Sequence, residues 1–311
     1  MGKVYLAFCV YAENPYGDPA KIAKDPKYAQ LFDATLEFGR KMNACFGRIS
    51  RTVACTGSHI EAFVTHADVA AVRKVYAPHA EIANHTYSHS PIMRIRGLDG
   101  LYPRSILSPT EITEELKKTN AILAEVFKQR TFGFSAPCGH PVPLTPKVAQ
   151  AIKSAGCIYS HSHTRGPGGS FFTPLRSEGK LVQPFRYQNG LPEVPLTGWQ
   201  DVFNFPEWFR LLHRLRFEKS YPKTEREILA WWTEFLDEAV ATSEDRDIAL
   251  THMLHPAYMA GIPFIDRWGF RHAPAGYDPA LRVLAGALDL AKERDVQIVT
   301  VGTLAKFSDR Q

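Results

Sequence analysis

The sequence lacks the features that mark several classes of protein. It has no run of 18 apolar residues that could form a membrane span. It also has no run of five Lys or Arg, so the net charge of +5 gives little support to nucleic-acid binding. The five cysteines are odd in number and form no CxxC pair, which argues against a disulfide framework or a zinc knuckle. We therefore expect a cytoplasmic protein that binds neither membrane nor nucleic acid.

What is present is an ordinary globular balance, with 45% apolar and 22% charged residues in a chain of 311. Short apolar runs alternate with longer stretches of helical period, and strands alternating with helices imply a mostly parallel sheet. We predict an α/β fold, a distorted or incomplete (β/α) barrel of about seven mostly parallel strands with outer helices. Residues 1–311 are predicted to form a single domain, since such barrels often exceed about 250 residues.

The clearest helix start in the sequence is at Ser108. This residue is followed by Pro109 at the first helical position and Glu111 at the third, which together form a capping box. The predicted strands are 3–10, 51–55, 80–82, 132–134, 158–159, 248–253 and 297–301. The predicted helices are 29–45, 109–127, 146–154, 225–241 and 279–294. The aromatic-rich stretch 196–223 is predicted to be a long insertion with short helices, and it could supply the surface of a homo-oligomer.

The most informative chemical pattern is the pair His85 and His89. On a helical turn, a spacing of four places both imidazoles on one face, within reach of one ion. Zinc and its transition-metal neighbours accept neutral imidazole readily. Because HxxxH is common, two exposed loop histidines are the alternative. The pair follows the predicted strand that begins at Ala80, and barrels expose their functional groups at such strand ends.

Several segments together resemble the polysaccharide deacetylase superfamily, the NodB-homology or carbohydrate esterase family 4 group. Glu81–His89 is similar to its metal-binding motif, and Thr131–Gly139 is similar to one wall of its substrate groove. Glu193-Val-Pro, followed by Trp199 and Asp201, resembles the next wall. Leu250–Pro256 resembles the last motif, which supplies a catalytic histidine. The resemblance runs from about residue 3 to residue 305, with the motifs in the family's order.

The resemblance implies a substrate groove and a set of catalytic groups. The residues at the groove positions are Ser135, Pro137, Cys138 and Trp199. His255 is the candidate general acid, because it lies beyond an apolar run at an expected strand end and could protonate a leaving nitrogen. His252 is its competitor, but strand alternation turns the two to opposite faces, and a core role fits His252 better. Asp201 is a candidate to orient an imidazole.

The first strand departs from the family pattern, which usually ends in two acidic residues. On an Asp-x-Asp spacing, Glu13 falls at the metal-ligand position and Tyr11 at the position of the general base. The implied ligand set for a divalent metal, zinc above all, is then Glu13, His85 and His89. The alternative for Glu13 is a loop carboxylate that caps the Asn14-Pro15 turn.

Two substitutions bear on the mechanism. A tyrosine, with a reference pKa of about 10, is a poor base, so the metal performs the activation, another group is the base, or the protein is inactive. The family usually has an arginine at Ser135 that supports the missing carboxylate, and both losses together are known from allantoinase-like and imidase-like members. Cys138 could be a nucleophile, but a small buried thiol is the more ordinary interpretation.

Three functions follow from these observations. The first is metal-dependent hydrolysis of a non-peptide C–N amide bond, foremost N-deacetylation of an N-acetyl sugar or a small N-acyl metabolite. The second is a cyclic amide or imide hydrolase, allantoinase-like, with weak or no metal dependence. The third is a catalytically silent scaffold, which the joint presence of His85, His89 and His255 argues against.

Overall fold

The computed structural model of the chain describes residues 2–13, 19–94, 105–165, 181–199, 224–255, 264–265, 271–272 and 277–309. Its strands are β1 Val4–Ala12, β2 Arg51–Cys55, β3 Ala80–Asn84, β4 Gly133–His140, β5 Ser160–His163, β6 Phe185–Arg186, β7 Pro192–Glu193, β8 Gly198–Trp199, β9 Ile248–Leu254, β10 Phe264–Ile265, β11 Arg271–His272 and β12 Gln297–Val299. Its helices are α1 Pro19–Lys24, α2 Pro26–Phe46, α3 Gly57–His66, α4 Val69–Tyr76, α5 Pro109–Phe127, α6 Pro146–Ser154, α7 Glu225–Thr242, α8 Tyr277–Glu293 and α9 Val301–Ala305, before a final 3₁₀ turn Lys306–Asp309.

One curled sheet forms the centre of the fold, with strand order β6-β7-β5-β4-β3-β2-β1-β9-β8 and β12 beside β1. Its pairs are parallel except for β6 with β7. The stretch 192–199 joins the two sides of this order, because β7 pairs with β5 and β8 pairs with β9. The predicted distorted (β/α) barrel of mostly parallel strands is thus confirmed.

The first strand shows how the barrel is packed on both faces. Leu6, Phe8 and Val10 belong to the core between the sheet and the helices, together with Trp232 of α7. Cys9 and its neighbours two residues away belong instead to a second core inside the barrel. A parallel strand buried on both faces reads as a nearly continuous apolar run, which is why this strand was predictable.

The five predicted helices are all present, and the predicted capping box is observed. Ser108 Oγ accepts a hydrogen bond from the backbone N–H of Glu111, whose side chain in turn accepts one from the N–H of Ser108. Helices α1, α3, α4 and α9 were not predicted. For α3 the reason is local, because Thr56 occupies the N-cap position without a side-chain hydrogen bond and Gly57 opens the helix.

Three strand predictions need correction. The strand predicted at 132–134 runs from Gly133 to His140. The strand predicted at residues 158–159 instead runs from Ser160 to His163, and Ile158 is 47% exposed. Its sequence Ser-His-Ser-His has no apolar residue, so hydrophobic patterning cannot detect it. The strand predicted at 297–301 ends at Val299, because Thr300 caps α9 by accepting the N–H of Thr303.

Several other sequence predictions concern parts of the chain that the structure describes only partly. Residues 196–199 of the predicted insertion take part in the sheet, and 200–223 lie outside the described residues. The homo-oligomer stays a prediction.

All five cysteines are free. Among the helices of the described residues, none has the length and apolar character needed to cross a membrane.

Two buried histidines should make the protein sensitive to mild acid. Burial lowers the pKa of His252 to about 3 and, with the nearby His163, that of His140 to about 4. In the unfolded chain the histidine pKa is near 6.5. Between that pH and the lower pKa of the folded state, the unfolded chain binds more protons than the folded one, so stability falls as the pH decreases. Between pH 6.5 and pH 5, the lowered pKa of each histidine should reduce the free energy of unfolding of the protein by about 2 kcal/mol.

Urea unfolding of the wild type and of His252→Phe at pH 7 and pH 5 checks this expectation. The variant should lose about 2 kcal/mol less than the wild type between the two pH values. An equal pH dependence in the two proteins would show that His252 is not buried as a neutral group.

Candidate metal centre and active site

The candidate site is built at the C-terminal ends of three strands. Glu13 directly follows β1, His85 follows β3 and His255 follows β9. Because β1 lies between β2 and β9, and β2 pairs with β3, these strand ends meet at one rim of the barrel. Functional groups of parallel barrels gather at this rim, as the sequence predicted.

The carboxylate of Glu13 lies between two imidazoles. Its Oε2 is 2.6 Å from His89 Nε2 and 3.1 Å from His85 Nε2. All three side chains are buried, with exposed fractions of 5% for Glu13, 1% for His85 and 3% for His89. Among the described residues, this is the group of three acidic, histidine or cysteine side chains whose ligand atoms could converge on one metal ion.

The donor set fits a cation. His85 Nδ1 donates its hydrogen to the carbonyl oxygen of Ser135 at 2.7 Å, so in the neutral ring Nε2 presents a lone pair towards Glu13. A lone pair and a carboxylate oxygen repel one another unless a proton or a metal ion lies between them. Burial by itself raises the pKa of the Glu13 carboxyl, but His89, His255 and His85 together lower it well below 4.5, so the carboxylate is charged. Two neutral imidazoles and one carboxylate are a common zinc ligand set.

The loop that carries His85 and His89 differs from the helical turn on which the spacing was interpreted. Thr86 and His89 both have positive φ, 59° and 57°, a conformation that non-glycine residues seldom adopt. Asn84 Oδ1 accepts the backbone N–H of Thr86 at 2.9 Å. The carbonyls of residues 86 and 87 accept the first two N–H groups of α3. The two imidazoles therefore converge through a strained loop, and the helical explanation was wrong.

A carboxylate from α5 holds this loop in place. Glu115 Oε2 accepts the backbone N–H groups of Tyr87 and Ser88, each at 3.1 Å. Its Oε1 accepts the hydroxyl of Ser88 at 2.5 Å. Three donors to one carboxylate fix the two residues that precede His89. Glu115 was not predicted from the sequence, because no local pattern links residue 115 to residue 87.

Replacing Glu115 with Gln should therefore weaken zinc binding without removing any ligand. The amide keeps the size of the side chain but turns one of its two acceptor atoms into a donor. Loss of a group that orients metal ligands typically lowers metal affinity about 10- to 100-fold. Competition titration of zinc against a chromophoric chelator measures the change. Glu111→Gln, at the exposed start of the same helix, is the matched control, and equal affinities in both variants would contradict the role of Glu115.

Tyr11 lies between the metal-binding group and His255. Its ring stacks on His255, with centroids 5.0 Å apart and planes at 30°, and meets the His85 ring edge-on at 4.8 Å. Burial, reinforced by Cys9 and other neighbours, raises the pKa of Tyr11 well above 10. Tyr11 is therefore a neutral hydrogen-bond donor, and its role in the reaction stays a prediction.

The hydroxyl of Tyr11 is directed by Ser135. The two oxygens are 2.6 Å apart, and Ser135 Oγ donates its own hydrogen to the carbonyl of His161 at 3.3 Å, so Tyr11 is the donor to Ser135. Ser135 thus contacts Tyr11 through its side chain and His85 through its carbonyl. Ser135 therefore orders two neighbours in the candidate site, and its role as a groove residue stays a prediction.

The two histidines of the last motif lie on different sides of the sheet. His252 is completely buried against Phe8 and Trp232 in the helix-facing core. His255 is 8% exposed, and its Nε2 is 3.7 Å from Glu13 Oε1. The opposite orientation agrees with the strand alternation. Only His255 is placed where a substrate at the candidate metal centre could meet it.

The remaining predicted site residues are less fully described. Pro137 is buried in β4, and Cys138 is partly buried with a positive φ of 67°, at the irregular step in the register of β4 with β5. Trp199 pairs with Met253 through its backbone, but its ring lies outside the described residues, as does Asp201. The roles of these four residues stay predictions.

Comparison with known proteins supports the resemblance seen in the motifs. A family model for polysaccharide deacetylase matches residues 47–164. The chain is 12% identical to Puue allantoinase (TM-score 0.59, covering 98% of this chain and 90% of that one). It is 12% identical to a protein of Pseudomonas aeruginosa PAO1 assigned as a polysaccharide deacetylase (TM-score 0.60, 100% and 92%). A protein of Mycobacterium smegmatis with the same assignment is 14% identical (TM-score 0.55, 100% and 91%).

At these identities the three structures show a shared fold, and no curated protein matches the chain. The matched segment and the fold fit an atypical, NodB-like member of the polysaccharide deacetylase superfamily, so the predicted resemblance is confirmed. The match of the family model supports a hydrolytic function of the deacetylase kind. The group Glu13, His85 and His89 could hold a metal ion.

Proposed function

We propose that the protein is a metal-dependent hydrolase of a non-peptide C–N amide bond, which removes the acyl group of an N-acetyl sugar or a small N-acyl metabolite. The observation that carries the proposal is the carboxylate oxygen of Glu13, held within 3.1 Å of the Nε2 atoms of both His85 and His89. A buried carboxylate with two imidazole nitrogens beside it is an arrangement that a divalent cation satisfies.

The residues around this group have separable tasks. Glu13, His85 and His89 would hold the metal, zinc in the first instance, which would polarise the amide carbonyl and lower the pKa of water beside it. His255 is placed to donate a proton to the leaving nitrogen, since it stacks on Tyr11 at the edge of the group. Tyr11, neutral and buried, is placed to donate a hydrogen bond rather than to take up a proton.

A second candidate is a cyclic amide or imide hydrolase. One observation favours it: the pair Tyr11 and Ser135, joined by a 2.6 Å hydrogen bond, replaces the family's carboxylate and arginine. Such a neutral pair makes the site less polar than a charged pair would. A small ring amide loses less hydration on binding than a sugar does, so it would suit a site lined by Tyr11 and Ser135.

The test uses purified protein with its metal and after exhaustive chelation. N-acetylglucosamine represents the acetylated sugars and hydantoin represents the ring amides. We expect turnover of one substrate by the metal-loaded protein, loss after chelation and recovery on adding zinc. Hydantoin turnover that survives chelation would favour the second candidate. No hydrolysis of either, or of a wider amide panel, by fully zinc-loaded protein would contradict both and leave the silent scaffold.

A further inference from the structure

His161, in the middle of β5, has a ring nitrogen that the fold leaves without a partner. Its Nδ1 lies 2.6 Å from the carbonyl oxygen of Val194, and because a carbonyl only accepts, Nδ1 carries the hydrogen. The neutral ring therefore presents Nε2 as an acceptor. The side chain is 2% exposed, and Nε2 has no hydrogen-bond partner within the described part of the chain. Burial lowers the pKa of His161, so the ring is neutral near pH 7.

Strand register places this ring beside the candidate metal centre. His161 is paired with Ser135 in the parallel register of β4 and β5. Neighbouring residues in register point to the same face of a sheet, and Ser135 points inward, because its Oγ meets the hydroxyl of Tyr11. The imidazole of His161 thus points into the barrel. The positive form of His85 also disfavours protonation of His161, as expected for two neighbouring rings.

A buried acceptor without a donor costs about 1–3 kcal/mol, and a group of this kind in a native fold calls for a specific explanation. The inner core of the barrel around it is otherwise built largely from Ala, Val, Leu, Met and Tyr side chains. The geometry points to His161 as the general base of the reaction, accepting through Nε2 the proton of the attacking water. This assignment rests on the proposed function.

The step balances without any further reactant. As the water oxygen forms its bond to the carbonyl carbon, one water proton passes to Nε2 of His161. The Nδ1–H of the resulting imidazolium stays bonded to Val194 O, which stabilises the positive charge. When the C–N bond breaks, His255 gives its proton to the nitrogen. The products are a carboxylic acid, which ionises, and an amine.

Two chromogenic probes separate the base from other roles. The amide para-nitroacetanilide has an N–H and a leaving group that needs a proton, whereas the ester para-nitrophenyl acetate has neither. Loss of a general base should slow both reactions about a hundred- to ten-thousandfold. The variants are His161→Phe, which has no acceptor, and His161→Gln, which accepts a hydrogen bond but not a proton. His252→Phe, a buried ring on the other face of the sheet, is the matched control.

We expect both His161 variants to retain zinc and to lose both activities, while the control stays near the wild-type rates. Loss of the amide activity alone would show that Nε2 binds the substrate N–H, and full activity of His161→Gln would show a hydrogen bond without proton transfer. Either result overturns the general base. Loss of zinc from both variants would also overturn it, since His161 would then act through the metal centre.

A crystal structure of the zinc-loaded wild type tests the assignment independently of turnover. An ordered oxygen within about 2.6–3.2 Å of Nε2 supports a proton acceptor, and an Nε2 surrounded only by carbon atoms overturns it. Failure of the proposed function gives a different signature. In that case the wild type loads zinc but hydrolyses neither probe. The assignment of His161 as general base is then overturned together with the proposed function.

Discussion

Replacing His89 with Ala is expected to lower the affinity for zinc by more than about a hundredfold. The variant removes one of three ligand atoms that lie within 4.8 Å of one another. Losing a residue that merely orients a ligand already costs about 10- to 100-fold, and losing the ligand itself must cost more. Competition titration against a chelator of known affinity gives the value.

The control for His89 is another histidine that contacts a carboxylate. His66 Nε2 lies 2.9 Å from Asp33 Oδ1, and no third potential ligand converges on this pair within the described part of the chain. His66→Ala should therefore leave the zinc affinity unchanged. If the two variants bound zinc equally well, the buried group would not be the metal site. Thermal unfolding of the metal-free proteins separates a loss of affinity from a loss of folding.

Replacing His255 with Gln is expected to lower the rate of para-nitroacetanilide hydrolysis about a hundred- to ten-thousandfold, with little change for para-nitrophenyl acetate. The amide nitrogen leaves only when it is protonated, whereas nitrophenolate leaves as an anion. His255 is the partly accessible ring that contacts Tyr11 and lies 3.7 Å from Glu13. Steady-state rates of both probes, measured at constant zinc content, give the two ratios.

The contrast between the two probes makes this prediction specific. A variant that had only lost its fold or its metal would lose both activities in proportion. His252→Phe, in the helix-facing core, should affect neither beyond its effect on stability. An equal loss on amide and ester in His255→Gln would contradict a proton donor and indicate a binding role.

The parts of the fold that were predictable are those with local signals. The capping box at Ser108 and Glu111 is satisfied by residues three apart, and β1 is a continuous apolar run. Strand β5 was misplaced because its residues Ser160–His163 are all polar, although the first three are buried. Their polar groups are satisfied across the chain, for example by Glu193, which accepts hydrogen bonds from the N–H and Oγ of Ser162.

The candidate site likewise contains residues that the sequence predicted and residues that it could not. Family spacing brought together Glu13, His85 and His89, and the structure places their ligand atoms within reach of one ion. Glu115 and His161 could not be found, because their relation to the site depends on contacts between residues that are far apart in sequence. Glu115 reaches Tyr87 across 28 positions. His161 is 76 positions from His85 in the sequence, and both are linked to Ser135, His85 by a hydrogen bond and His161 by strand register.

The losses at Tyr11 and Ser135 also become intelligible as a pair. An arginine at residue 135 would lie beside the uncharged hydroxyl of Tyr11, and the burial of its charge would be costly. The Ser135 hydroxyl instead accepts a hydrogen bond from Tyr11 and donates one to the carbonyl oxygen of His161. Tyr11 and Ser135 thus form an uncharged, hydrogen-bonded pair inside the barrel.

Zinc content combined with anomalous diffraction at the zinc absorption edge tests the central claim most directly. We expect about one zinc per chain after loading, with the anomalous peak between Glu13 Oε2 and the Nε2 atoms of His85 and His89. Protein that binds no zinc, or a zinc-loaded crystal whose peak lies elsewhere while these three side chains keep their hydrogen bonds, would contradict it.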